Sequence, residues 1–201
     1  LGQGTASFLI KTGYLIRGSK MYKSPEGKKM EGGYYNRYKL YDYIAAQENL
    51  QNADILFLEF GVFQGDSILH WLKLNNNSQS VFWGFDTFVG LPEDWGGFFK
   101  KGDMSHDVPN LNDSRAKYIK GLFQDSLVPF LEAKRDEMKL ADVRIIHMDA
   151  DLYSATSFTL SQLYPFLKAG DISVPKYHEI SVQEFHFFAN LKAGRKIDLQ
   201  K

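Results

Sequence analysis

The chain has no cysteine among its 201 residues. Disulfides, thiolate nucleophiles and cysteine-based metal sites are thereby excluded; a reducing compartment suits such a chain, and we expect a cytoplasmic protein. Net charge is lacking too, with 24 Lys+Arg against 24 Asp+Glu. A neutral surface without a basic stripe argues against nucleic acid and against an anionic membrane as partners. No apolar run approaches the roughly 18–20 residues of a membrane span. The opening LGQGTASFLIKTGYLIRGSK carries basic and apolar residues in the wrong order for a signal peptide. It also starts without Met, as a fragment would. Internal repeats and low-complexity linkers are missing, so nothing divides the chain.

What is plentiful is aromatic: 15% of residues, chiefly 16 Phe and 11 Tyr. Such rings fill cores first, and they also line pockets for flat ligands. The length suits one domain with a sizeable core. Residues 1–33, rich in Gly, Lys and Ser, read as an irregular lead-in, and 34–201 as the domain.

From Tyr34, YYNRYKLYDYIAAQENL has the spacing of a helix with Tyr38, Tyr41 and Ala45 near one face. ADILFLEFGV follows as a strand apolar enough to be covered on both faces, SVFWGFD as a second buried strand, RAKYIKG as a short strand and VRIIHMDAD as a further strand. Between and after them lie helical patterns. DSILHWLKLNNN is to be capped by Asp66 or Ser67 and ended by the Asn run. SLVPFLEAKRDEMKL carries Pro129 in its first turn, and SATSFTLSQLYPFLKAG is closed by Gly170. Strands alternating with helices predict an α/β domain with a mostly parallel sheet. Ligands of such sheets sit beyond the carboxyl ends of the strands. Glu59, Asp86, Asp149 and Asp151 fall at or just past three strand ends and Asp125 past a fourth, so five carboxylates converge on one edge. The segment from Thr87 to about Asp113 has no period and is long for a connection; with Trp95, Phe98, Phe99 and His106 it reads equally as a lid or a surface excursion.

The stretch FLEFGVFQGDS joins a buried strand to a helix through Gly61 and Gly65. Those glycines permit a tight turn and a close backbone approach at a helix N-terminus. A Walker lysine is missing, Glu59 would repel a phosphate, and the spacing E-x-G-x-x-x-G is not the dinucleotide G-x-G-x-x-G. Asp86 can accept two hydrogen bonds from a ribose diol, and LFQDS offers a polar loop for an adenine amine. A nucleoside with a positive centre and no phosphate answers this description, and S-adenosylmethionine is that molecule.

LEFGVFQGDSI, VFWGFDTFVGLPEDW, KGLFQDSL and IHMDADLYSAT…LYPFLKAGDI, in that order, resemble the macrocin O-methyltransferase family of class I S-adenosylmethionine-dependent methyltransferases. The likeness runs from about Tyr35 to Ile172. It implies a Rossmann-like class I fold and transfer of a methyl group to a hydroxyl of a sugar or phenolic natural product. It also implies that Glu59, Gly61, Gly65 and Ser67 form the methionine-side loop. Asp86 would hold the ribose hydroxyls, Thr87 and Phe88 would lie beside the adenosine, and Gln124, Asp125 and Ser126 near the adenine. Asp149 matches the family's magnesium-ligand position and Asp151 that of its general base. Each has a plainer alternative: Asp149 as a strand end, Asp151 as the cap of the next helix. His147 reads as a satisfied core histidine, while Arg37 and Tyr35 are within plausible reach of the cofactor.

The pattern departs from the family after GDI. The expected apolar run and acidic pair are replaced by SVPKYHE, with Pro175 where a central strand should donate. Either His178 and Glu179 rebuild the metal site, or the protein binds the nucleoside without metal or catalysis, or residues are missing after Ile172. The third is favoured, and an intact mass above 23.0 kDa would support it. Glu179 stays a candidate metal ligand. The aromatic N-terminal helix is a candidate homo-oligomer interface.

Overall fold

The computed structural model describes residues 37–95, 99–168 and 170–175. The apolar run around Leu58 becomes β1 (Ile55–Phe60), all six residues buried. Four more strands form beside it: β2 (Val81–Asp86), β3 (Ala116–Lys120), β4 (Val143–Met148) and β5 (Ile172–Pro175). They pair in the order β3-β2-β1-β4-β5, every neighbour parallel. The helices are α1 (Arg37–Gln47), α2 (Asp66–Leu74), α3 (Phe123–Ala133), α4 (Arg135–Leu140) and α5 (Tyr153–Leu163).

Period-two alternation sorts the core into two layers. Ile55 and Phe57 of β1 and Ile145 of β4 turn to one face, against Tyr41 and Ile44 of α1 and Ile68 and Trp71 of α2. Leu56, Leu58, Phe60, Ile146 and Met148 turn to the other, against Leu127 and Phe130 of α3, Met138 of α4 and Leu160 of α5. By the same parity Glu59 and His147, which are register partners, belong to the α1/α2 face. Consecutive strands β1, β2 and β3 step one way from β1, and β4 and β5 step the other. The order therefore reverses between β1 and β4, where open parallel sheets hold their ligands.

Several local expectations are corrected. Gly65, in the left-handed conformation at φ 81, occupies the N-cap of α2, and no side chain caps it, so Asp66 and Ser67 are inside the helix. The helix after β3 starts at Phe123 and breaks at Lys134 into α3 and α4; Pro129 is its seventh residue, well past the first turn. Gln124, Asp125 and Ser126 consequently stand on a first helical turn and not in a loop. The Ser126 hydroxyl donates to Leu122 O at 2.8 Å. α5 stops at Leu163, a 3-10 turn covers Tyr164–Phe166 with Pro165 in it, and Gly170 at φ 106 sits in the turn before β5. Pro175 ends β5, which is an outer strand of the described sheet, so its missing N–H interrupts no central ladder.

The aromatic face of α1 is used within the chain. Tyr41 stacks on Trp71 at 5.4 Å and Tyr38 on His70 at 4.7 Å, while His70 Nε2 meets Asp42 Oδ1 at 2.7 Å. The described residues of the long segment after β2 are tied to one another. Leu91 N–H donates to Asp103 O and Gly102 N–H to Leu91 O, Asp94 accepts from Lys100 Nζ and Lys101 N–H, and Trp95 stacks on Phe99 at 5.2 Å. Among the described residues no helix is long and apolar enough to cross a membrane.

Candidate active site

β1, β2 and β4 deliver their last residues to one edge, and main-chain bonds lock these ends together. Gly61 N–H donates to Phe85 O, Asp149 N–H to Phe60 O, and Gly121 N–H to Asp86 O, each at 2.9–3.0 Å. Gly61 has φ 93, and a Cβ there would come within 2.5 Å of Asp149 O. Only glycine permits both the conformation and the approach. Its small size serves the closure of β1 on β4, which refines the expectation that it admits a ligand. Gly65 has φ 81 and a Cβ there would meet the Pro109 ring at 3.1 Å, so the long segment lies over the glycine loop. Phe63 between them also has positive φ, at 54, and its exposed ring meets His106 edge-on at 5.3 Å.

Asp86 holds this loop in shape. Its Oδ2 accepts Val62 N–H at 2.8 Å and Phe63 N–H at 3.1 Å, and its Oδ1 accepts Phe88 N–H at 2.9 Å. A carboxylate offers about four lone-pair sites, so roughly one is left over by these three bonds. Thr87 spends its hydroxyl on Gly90 O at 2.9 Å, and the Phe88 ring is buried edge-on to Tyr118. Ser67 is buried with its Oγ 3.4 Å from Tyr41 Oη. Gln124 and Asp125 are exposed at the same edge, beyond β3.

Glu59 does not face solvent. It is 1% exposed, and its Oε1 lies 2.7 Å from His147 Nδ1, across the β1–β4 ladder. His147 Nε2 in turn meets Tyr41 Oη at 2.9 Å. The histidine is thus satisfied in the core, as expected, and also links α1 to the sheet. Burial pushes the Glu59 carboxyl up, and the bond and charge of His147 do not cancel it. Its Oε2 is buried with no hydrogen-bond partner among the described residues. Burial likewise pushes the Tyr118 phenol up to about 12.

Asp149 stands just past β4 on the Glu59 side. Arg37 Nη1, from the first residue of α1, donates to its Oδ2 at 2.8 Å. Burial alone lowers the Arg37 pKa; the charges and hydrogen bonds of Asp149 and Tyr41 outweigh it, and the guanidinium ends above its ordinary value. Asp151 is half-buried two residues further along, and the N-cap of α5 is Leu152, whose own side chain caps nothing. Glu179 and His178 lie outside the described residues, as do Tyr35 and Phe98.

Magnesium takes hard oxygen ligands. Ligand atoms of Glu59, His147 and Asp149 lie within 4.8 Å of one another. His147 has both ring nitrogens engaged and is the wrong donor for that ion. The Asp149 carboxylate and the orphaned Glu59 Oε2 fit a divalent cation. Sequence reasoning assigned Glu59 to the methionine-side loop and missed Tyr41. The available signal was parity: Glu59, His147 and Asp149 share one face, and Arg37 and Tyr41 share a helix stripe.

The family model described as Macrocin-O-methyltransferase (TylF) matches residues 100–198, a stretch that holds Asp149 and Asp151 but not the glycine loop or Asp86. No curated protein matches the chain. Among solved structures, calicheamicin methyltransferase CalS11 aligns with 91% of this chain and 83% of its own, at 19% identity and a TM-score of 0.56. The O-methyltransferase NovP aligns over 79% of this chain and 70% of its own, at 20% identity and a TM-score of 0.49. The fold is that of the class I methyltransferases, and the family match supports a methyltransferase enzyme.

Proposed function

We propose that the chain is an S-adenosylmethionine-dependent O-methyltransferase, divalent-metal-assisted, acting on a hydroxyl of a sugar or phenolic small molecule in natural-product biosynthesis. The observation that carries this reading is the closure of the glycine loop at the β1/β4 reversal. There Asp86, Asp149 and Asp151 reach one edge around a backbone that only Gly61 permits. We further infer a cytoplasmic enzyme that binds neither nucleic acid nor membrane.

In this reading the glycine loop and first turn of α2 receive the methionine end, Asp86 the ribose through its remaining acceptor capacity, and Gln124, Asp125 and Ser126 the adenine. Bound there, S-adenosylmethionine supplies an electrophilic methyl group and magnesium supplies Lewis acidity that lowers the acceptor hydroxyl's pKa. Asp149 would hold the ion, with Glu59 Oε2 the nearest further carboxylate oxygen and Glu179 a candidate beyond the described residues. Asp151 would accept the proton of the acceptor hydroxyl, leaving its oxygen as the nucleophile for the methyl group that the bound cofactor would supply. Much of the acceleration comes from holding the two reactants in line.

A second reading is a catalytically degenerate S-adenosylmethionine/S-adenosylhomocysteine-binding protein, and the Arg37–Asp149 ion pair is the observation that favours it. Calorimetric titration with S-adenosylhomocysteine, with and without magnesium, tests the shared premise. Micromolar or tighter binding supports the pocket, and loss of acceptor methylation in Asp151→Asn with binding intact separates enzyme from binder. Absence of binding to folded protein overturns both.

A further inference from the structure

Two helix residues four apart meet two residues, two apart, that straddle the end of a strand. Tyr41 and Arg37 lie on one stripe of α1, and His147 and Asp149 on one face at the end of β4. The two contacts differ in kind. Tyr41 is 1% exposed, stacked on Trp71 and bonded to His147, so it fixes α1 on the sheet. Arg37, one turn earlier and first in the helix, leaves 43% of its side chain in solvent, whereas Asp149 leaves 15%. A long side chain with water on one side can leave its partner without moving the helix that carries it. It sets a single positive charge on the carboxylate that the methyltransferase reading assigns to the cation.

We propose that Arg37 is a positioning residue that acts through Asp149: a tethered cation that holds this carboxylate in place and competes with a divalent ion for it. The proposal rests on the functional reading above. A guanidinium and a doubly charged ion on one carboxylate repel each other, so the ion's entry requires Arg37 to swing outward. Tyr41 and its bond to His147 keep α1 seated meanwhile. The positive charge at Arg37 therefore sets the cation concentration at which the site fills, a property a purely structural ion pair would not have.

The test is Mn2+ binding to the full chain, read from the electron paramagnetic resonance signal of the unbound ion. It is run for wild type, Arg37→Gln, Arg37→Lys and Asp149→Asn, with thermal midpoints and S-adenosylhomocysteine titrations alongside. Arg37→Gln should bind Mn2+ about tenfold or more tightly than wild type, since a like charge has left the site. Arg37→Lys should stay near wild type, and Asp149→Asn should lose the ion. Unchanged or weaker Mn2+ binding in a folded Arg37→Gln overturns the proposal, as does binding that survives Asp149→Asn or is undetectable throughout. S-adenosylhomocysteine affinity reports the nucleoside pocket separately, so failure here leaves that reading standing or falling on its own result.

Discussion

Arg144 and Glu59 are ionisable side chains on adjacent strands, both nearly sealed from solvent at 2% and 1% exposure, yet their surroundings differ. Arg144, at the amino end of β4, forms a two-bond fork with Asp171 at 2.9 and 2.7 Å and gives its remaining nitrogen to Met138 O. Asp171 also accepts Lys168 N–H. Arg115 at the same end of the sheet is as fully engaged, with Asp113 and with the carbonyls of Leu72, Asn75 and Asn77 that end α2. At the carboxyl end Glu59 has one oxygen on His147 and one on nothing described. Buried polar groups are ordinarily satisfied, and half-satisfied ones carry cost without return in stability. The amino end is therefore built to hold the sheet, and the carboxyl end holds strain and unspent acceptors, the condition of a site.

If that division is right, the two ends should fail differently. The largest loss of stability belongs to Asp171→Ala, which strands the Arg144 guanidinium in the core. Breaking a buried pair from one side costs about 3–5 kcal/mol. We expect denaturant unfolding to show that loss, while the protein that stays folded binds S-adenosylhomocysteine as before; an equal loss of ligand affinity would erase the distinction. Gly61→Ala should act the other way round. The new methyl meets Asp149 O at 2.5 Å, so the turn must shift, and keeping φ 93 alone costs about 1–3 kcal/mol. Here ligand affinity should collapse by far more than the modest stability loss explains, because β1, Asp86 and Asp149 are mutually positioned through that turn. Wild-type affinity in Gly61→Ala would show that the loop does not serve the ligand.

How far the sequence foretold this depends on which information each feature needs. The strands were legible because ILFLEF and VRIIHM are mostly apolar runs of strand length, and Asp86 ends β2 while Asp149 directly follows β4. The helix break at Lys134, the start of α3 at Phe123 and the left-handed Gly65 cap were not. Each is decided by how a local segment meets the sheet, and the pattern alone let Pro129 pass for a first-turn residue. The Arg37–Asp149 and Tyr41–His147 contacts span 112 and 106 residues. Their residue types were visible, but nothing local says that a helix stripe will dock on the last residues of β4. Glu59 is a related case. Its place near a strand end was visible in the sequence, but register alone sets it opposite His147, with one oxygen bonded there.

The smallest effect is at the amino end and depends on pH. The hydrogen bonds from Arg115 hold the Asp113 carboxyl below its ordinary 3.8. A carboxylate whose pKa is lower in the fold than in the unfolded chain binds fewer protons when folded. Its contribution is therefore complete above about the unfolded value and disappears as pH falls through the folded one. The pair is partly exposed, at 16% and 28% of its side chains, so screening keeps that contribution under about 1 kcal/mol. Comparing the thermal midpoints of wild type and Asp113→Asn should give a small gap that is constant from neutrality down to pH 5. The gap should close at the most acid pH the fold tolerates. S-adenosylhomocysteine affinity should be the same in both proteins across that neutral range, since Asp113 belongs to the end of the sheet that only holds. A midpoint gap that widens in acid would reverse the assigned direction, and an affinity that follows Asp113 would join the two ends that the structure keeps apart.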